Sequence, residues 1–106
     1  AYLTGTLRDV SGLDAKDIRR SMPRFDATHY AANLTLLPAY EALAQQVGCT
    51  PAQLALAWLL ARGEHVVPIP GTTSQAHLRE NLGAAAVTVP SAVMAELDTL
   101  YAPARI

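Results

Sequence analysis

The residues best suited to chemistry form one string: Val66-Val67-Pro68-Ile69-Pro70-Gly71-Thr72-Thr73-Ser74. A helix-forming stretch follows, from about Gln75 to Gly83. The chemistry this suits is anion binding. A helix N-terminus offers unpaired N–H groups and the positive end of the backbone dipole. Gly71 has no Cβ and lets a ligand approach the backbone. The hydroxyls of Thr72, Thr73 and Ser74 can donate to phosphate oxygens. Loop and helix together make an anion site. The same residues also make an ordinary N-cap with its turn, so the string by itself leaves both readings open.

Other reactive side chains do not assemble in the sequence. The single Cys49 can form neither an internal disulfide nor a thiolate metal cluster, and it suits a reducing, cytoplasmic setting. It reads as a small buried side chain rather than a nucleophile. The one lysine, Lys16, falls in a mixed-charge loop with Asp14, Asp17, Arg19 and Arg20. Tyr2, Tyr30, Tyr40 and Tyr101 show no local pairing with a lysine or histidine, and His29 and His65 fit no metal spacing. There is no Gly-x-Ser-x-Gly elbow. No residue is therefore assigned as catalytic or as a metal ligand.

The elements that must hold the anion loop are mostly helical. Residues 1–25 read as a loop region, with a short helical turn near Asp14 to Arg20. From 26 to 48, Leu34, Leu37, Tyr40, Leu43, Ala44 and Val47 recur at spacings of three and four, one apolar helical stripe. Asp26 can cap its start and Gly48 can end it. Pro38 inside the pattern predicts a kink or a junction of two helices. A second helix is announced over 50–63. Thr50 is its N-cap, Pro51 its first residue, Gln53 completes a capping box, and Cys49 with Leu54 make a hydrophobic staple. Leu54 to Ala61 is apolar on every side, which predicts burial all round. His65 to Ile69 reads as a buried strand, Val87-Thr88-Val89 as a second short one, and 91–101 as a last helix capped by Ser91.

A strand between helices needs parallel neighbours, and this chain has none to offer. The pattern thus points to the tail of a larger α/β protein. Composition agrees: 51% hydrophobic and 16% charged residues in 106 suggest a piece of a larger core. The opening residues, without an initiator Met, predict a fragment or processed chain and carry no signal-peptide pattern. A net charge of −1 provides no basic field for nucleic acid. No apolar run reaches membrane-spanning length.

Three strings in order resemble the aldo-keto reductases: Met22-Pro23-Arg24-Phe25; Thr50-Pro51-Ala52-Gln53-Leu54-Ala55-Leu56-Ala57-Trp58-Leu59-Leu60; and Val67-Pro68-Ile69-Pro70-Gly71-Thr72-Thr73 with Leu78-Arg79-Glu80-Asn81-Leu82-Gly83-Ala84. Leu3-Thr4-Gly5 is similar to the end of that family's loop after its seventh barrel strand. The resemblance covers essentially the whole chain. It implies the C-terminal part of a single TIM (β/α)8 barrel, mostly helical, with one or two short strands here. Phosphate sites of such barrels gather after the last two strands.

The resemblance further implies an enzyme that transfers a hydride from NADP(H) to an aldehyde or ketone. Gly71, Thr72 and Thr73 would meet the 2′-phosphate and ribose, and Glu80 and Asn81 the adenine. His77 stands where the family often has Arg. A neutral His lacks the permanent bidentate charge of Arg, which leaves NAD(H) open as well as NADP(H). His77 reads equally as a solvent-facing helix residue. The family's catalytic Tyr, Lys, Asp and His come from earlier strands, and its C-terminus usually continues beyond Ile106, so no activity is expected of these 106 residues alone. The partners implied are a nicotinamide dinucleotide and a carbonyl substrate. The alternative is a non-catalytic fragment whose exposed apolar faces drive self-association, as a homo-oligomer or a complementing module. A helix-turn-helix reading of Leu43 to Leu54 fails on its second helix, which is too apolar to face a DNA groove.

Overall fold

The computed structural model describes residues 2–106, and what was expected at Ala1 lies outside the described residues. Five α-helices carry the structure: α1 (Ala27–Leu34), α2 (Leu37–Val47), α3 (Pro51–Ala61), α4 (Gln75–Gly83) and α5 (Ser91–Leu100). Before them the chain runs through three 3-10 turns, Val10–Gly12, Ile18–Ser21 and Pro23–Phe25. Asp9 and Asp17 cap the first two through their side chains. Arg19 also clamps Asp17, with Nη2 donating to Oδ2 at 2.6 Å. Those hydrogen bonds hold the Asp17 carboxyl down at about 2.

Local chemistry explains the boundaries. The Asp26 side chain accepts from the Thr28 and His29 amides and starts α1. The apolar stripe from 26 to 48 then divides into two helices, because Pro38 has no N–H and settles in the first turn of α2. Gly48 ends α2 in the left-handed region at φ 83°, where a side chain would be strained. The capping box of α3 is complete: Gln53 N donates to Thr50 Oγ1 at 3.2 Å, and Thr50 N donates to Gln53 Oε1 at 3.1 Å. At α5 Ser91 is the first helical residue, not the cap. Pro90 holds the cap position and makes no side-chain hydrogen bond.

The core lies where α2, α3 and α5 meet. Leu37, Leu54 and Val93 are fully buried, with Tyr40, Leu43, Ala44, Leu97 and Leu100 around them. Tyr2, Leu3, Cys49, Trp58 and Tyr101 close its edges. Burial pushes the Cys49 thiol up, away from thiolate reactivity. A second tie joins α3 to α5: Trp58 Nε1 donates to Asp98 Oδ1 at 2.9 Å, while Arg62 pairs with Asp98 Oδ2 at 3.2 Å and lies over the indole. The exposed pair Arg8–Glu41 fastens the opening segment to α2, and such surface pairs contribute little.

Two expectations are overturned. No strand is present among the described residues. Residues 65–69 and 87–89 are irregular, because a strand exists only through a partner's hydrogen bonds and no neighbouring strand is there to supply them. Accordingly Val67 is 76% exposed and Ile69 93% exposed. Nor is α3 buried all round. Leu54 and Ala57 are buried, Leu56, Trp58 and Leu59 are half-buried, and Leu60 is exposed. Its outer face has no sheet to lie on.

Candidate cofactor site

Every residue of the sequence-derived anion site falls in the loop 64–74 or on α4. Gly71, Thr72, Thr73 and His77 are exposed, while Glu80 and Asn81 are half-buried. Ser74 caps α4, its Oγ accepting from His77 N at 3.2 Å. The Ser74 amide in turn donates to Thr72 Oγ1 at 3.0 Å. The loop thus folds onto the helix start through its own hydroxyls. The amides of Gln75 and Ala76 are left for solvent or a ligand, as at any helix start. The Thr73 side chain stays exposed beside them.

Gly71 lies beside open space. A Cβ added there would meet nothing within 4 Å. Its φ is not in the left-handed region. Neither packing within this chain nor backbone conformation requires glycine, so the room it leaves is open from outside.

On α4, His77, Glu80 and Asn81 stand at i, i+3 and i+4, so they share one helix face. That face has an imidazole in the first turn, at the positive end of the dipole, and a carboxylate and an amide in the second turn. A polyanion with an attached heteroaromatic ring matches this order: anion at the helix start, ring edge against the acceptors and donors of the second turn. Three of the six residues thus share one face of α4, and the other three lie in the loop that leads into its start.

The four tyrosine hydroxyls make hydrogen bonds away from this loop and helix. Tyr30 Oη donates to Leu7 O at 2.6 Å, Tyr40 Oη to Pro51 O, and Tyr2 Oη to Asn33 O. Tyr101 Oη meets Tyr2 Oη at 3.1 Å. None of these phenols meets a lysine or histidine. Among the described residues no group of three His, Cys, Asp or Glu side chains could hold a metal ion. A cavity of about 900 Å³ opens elsewhere, walled by Tyr2, Tyr30, Tyr40, Trp58, Leu59 and Tyr101, and none of the six site residues lines it. The sequence did not disclose it, because its walls come from segments far apart in the chain.

Sequence reading also missed what holds α4 in place. Gln53 Nε2, on α3, donates to the Glu80 carbonyl at 2.9 Å. The capping-box signature marks Gln53 as a helix-start residue and gives no sign of this second contact.

No helix of the described residues is long and apolar enough to cross a membrane. No solved structure matches the chain significantly. Among curated proteins, the NADP(+) aldo-keto reductase yakc of Schizosaccharomyces pombe is 38% identical over 96 residues. That match covers 91% of this chain and 28% of the relative, so the chain spans under a third of that protein's length. The model of the aldo/keto reductase family matches residues 3–102, which takes in the opening turns, all five helices and the whole candidate site. The chain belongs to the aldo/keto reductase family.

Proposed function

We propose that this chain forms the adenosine and 2′-phosphate end of the nicotinamide dinucleotide site in an NADP(H)-dependent reductase. It would be the C-terminal part of a (β/α)8 barrel that carries hydride from NADPH to an aldehyde or ketone. The observation that carries this is the shared face of His77, Glu80 and Asn81 on α4, directly after the open loop of Gly71, Thr72 and Thr73. The relative named for NADP(+) supports the choice of cofactor. On this reading residues 1–25 are loop, 26–48 and 50–63 pack outside the barrel, 65–83 make the strand, loop and helix of the cofactor site, and 91–101 is the closing helix. On this reading the proton donor of the reaction comes from earlier strands of the barrel, outside these residues. A lone half-buried Cys49 fits a reducing cytoplasm.

Calorimetric titration of the purified protein with adenosine 2′,5′-bisphosphate and with NADPH tests the proposal. Saturable binding that weakens when Thr73 or Asn81 is replaced by alanine is expected. Equal binding by wild type and both variants would place the nucleotide elsewhere.

The same site predicts a change of preference. Arg at position 77 would add a permanent charge and a bidentate contact to the 2′-phosphate. His77→Arg is expected to tighten NADPH binding about tenfold, the worth of one charge-assisted hydrogen bond, and to leave NADH nearly unchanged. Parallel titrations with the two cofactors check this, and an equal gain for both would mean that position 77 does not meet the 2′-phosphate.

A second reading follows from the exposure of Val67, Ile69, Leu78 and Leu82. Apolar side chains left open in this way favour association. Light scattering over a hundredfold concentration range would show growing mass if the chain acts as a self-associating module. A constant monomer mass would discard that reading.

A further inference from the structure

Helix α4 carries the proposed adenosine contacts, yet it buries no side chain of its own. Leu78 and Leu82 are exposed, and only Ala84, in the turn that follows, is buried. Apolar packing therefore does little to fix the helix's rotation or height. A polar contact does so instead. The last turn of α4 tightens, with Ala84 N–H turning to Asn81 O, so the Glu80 carbonyl is one of the acceptors a helix end leaves over. Gln53 Nε2 takes it up at 2.9 Å.

The Gln53 amide cannot wander. Its Oε1 accepts from the Thr50 backbone N–H at 3.1 Å, so the main chain at Thr50 holds one end of the amide while α4 holds the other. The next residue, Leu54, is fully buried and anchors this turn of α3 in the core. Gly83 completes the fit. Its φ of −60° is ordinary helix, so conformation does not call for glycine. A Cβ at Gly83 would lie 2.7 Å from Gln53 Nε2, so the Gln53 amide would have to move off the Glu80 carbonyl to make room for it.

We infer that Gln53 and Gly83 together form a latch that sets the position of α4, making Gln53 a positioning residue for the cofactor site; this rests on the cofactor reading above. Glu80 is at once the latched residue and a proposed adenine contact. A shift of its backbone by the width of a methyl group moves its carboxylate, and Asn81 beside it, out of register with the ring.

A mutant cycle separates positioning from stability. Gly83→Ala keeps the capping box, adds no charge and suits a helix better than glycine. It is expected to weaken adenosine 2′,5′-bisphosphate binding roughly three- to tenfold, the range of one lost hydrogen bond. Gln53→Ala should weaken binding by a similar factor. The double variant should bind no worse than Gln53→Ala alone, because the added methyl then has nothing to strike. Thr50→Ala removes a cap and should lower the melting temperature while leaving affinity unchanged well below melting. The latch is overturned if Gly83→Ala binds like wild type, if its penalty persists with alanine at 53, or if Thr50→Ala loses as much affinity. Absence of binding by wild type itself would instead bring down the cofactor reading, and the latch's role with it. Melting temperatures of the same four proteins still report whether residues 53 and 83 are coupled.

Discussion

Replacing Leu54 with alanine is expected to lower the unfolding free energy by about 3 kcal/mol, within the range for large-to-small core substitutions. Leu54 is 0% exposed and lies where α2, α3 and α5 converge. Its neighbours Leu37 and Val93 are also fully buried, and helices pinned by caps and by the Trp58–Asp98 bond cannot collapse into the hole. Domains of this size have about 5–15 kcal/mol in total, so the loss would be a large part of the whole. Urea melts check it through a lower midpoint at unchanged slope. Leu60→Ala, on the exposed side of the same helix, should change stability by about 0.5 kcal/mol or less. Similar losses at both positions would contradict the one-sided burial of α3.

The second large effect comes from alkali. Burial, reinforced by the nearby Cys49, pushes the Tyr40 phenol well above its ordinary range, against a weaker opposing hydrogen bond from the Ala55 backbone. Burial does the same to Tyr101, helped by the hydrogen bond with Tyr2. Both groups thus hold protons more tightly when folded. Their contribution is fully present below the unfolded tyrosine pKa of about 10. Above it the unfolded chain releases these protons and the folded chain keeps them, so stability falls as pH rises. Each tyrosine contributes a slope of about 1.4 kcal/mol per pH unit, and the two together about 2.7. Urea midpoints should be flat with respect to these groups up to pH 10 and drop steeply beyond it, with the phenolate absorbance of Tyr40 and Tyr101 appearing only as the protein unfolds. A phenolate signal from all four tyrosines in a still-folded protein at pH 11 would refute the burial of Tyr40 and Tyr101.

Features set by neighbouring residues were legible in the sequence. Thr50, Pro51 and Gln53 announced α3 because a capping box is built within four residues. Gly48 ended α2 for an equally local reason. Pro38 left two outcomes, and its missing N–H settled the matter only when the chain chose to restart the helix there. The strands expected at 65–69 and 87–89 failed because β-branched composition states a preference, while pairing is a fact about other segments. Even burial could not be read from α3's composition, since an apolar surface is buried only if something covers it. The site string was readable as a loop and helix start. Its dependence on Gln53, 27 residues before Glu80, was not, because that contact crosses between helices.

In the run Val66-Val67-Pro68-Ile69-Pro70, Val67 and Ile69 hold their β-branched side chains in water while Val66 is half-buried. Such a run ordinarily recruits copies of itself, each main-chain N–H finding a carbonyl in the next molecule. Pro68 and Pro70 break that ladder at alternate positions, and alternate positions in an extended chain send their N–H groups to the same side. One side of the segment is therefore unable to donate at either proline while the other keeps its full set. The segment has a reactive edge and a blunted one, so it can accept a neighbouring strand on one flank without polymerising through both. Two prolines act here as gatekeepers for the very stretch that leads into the anion loop.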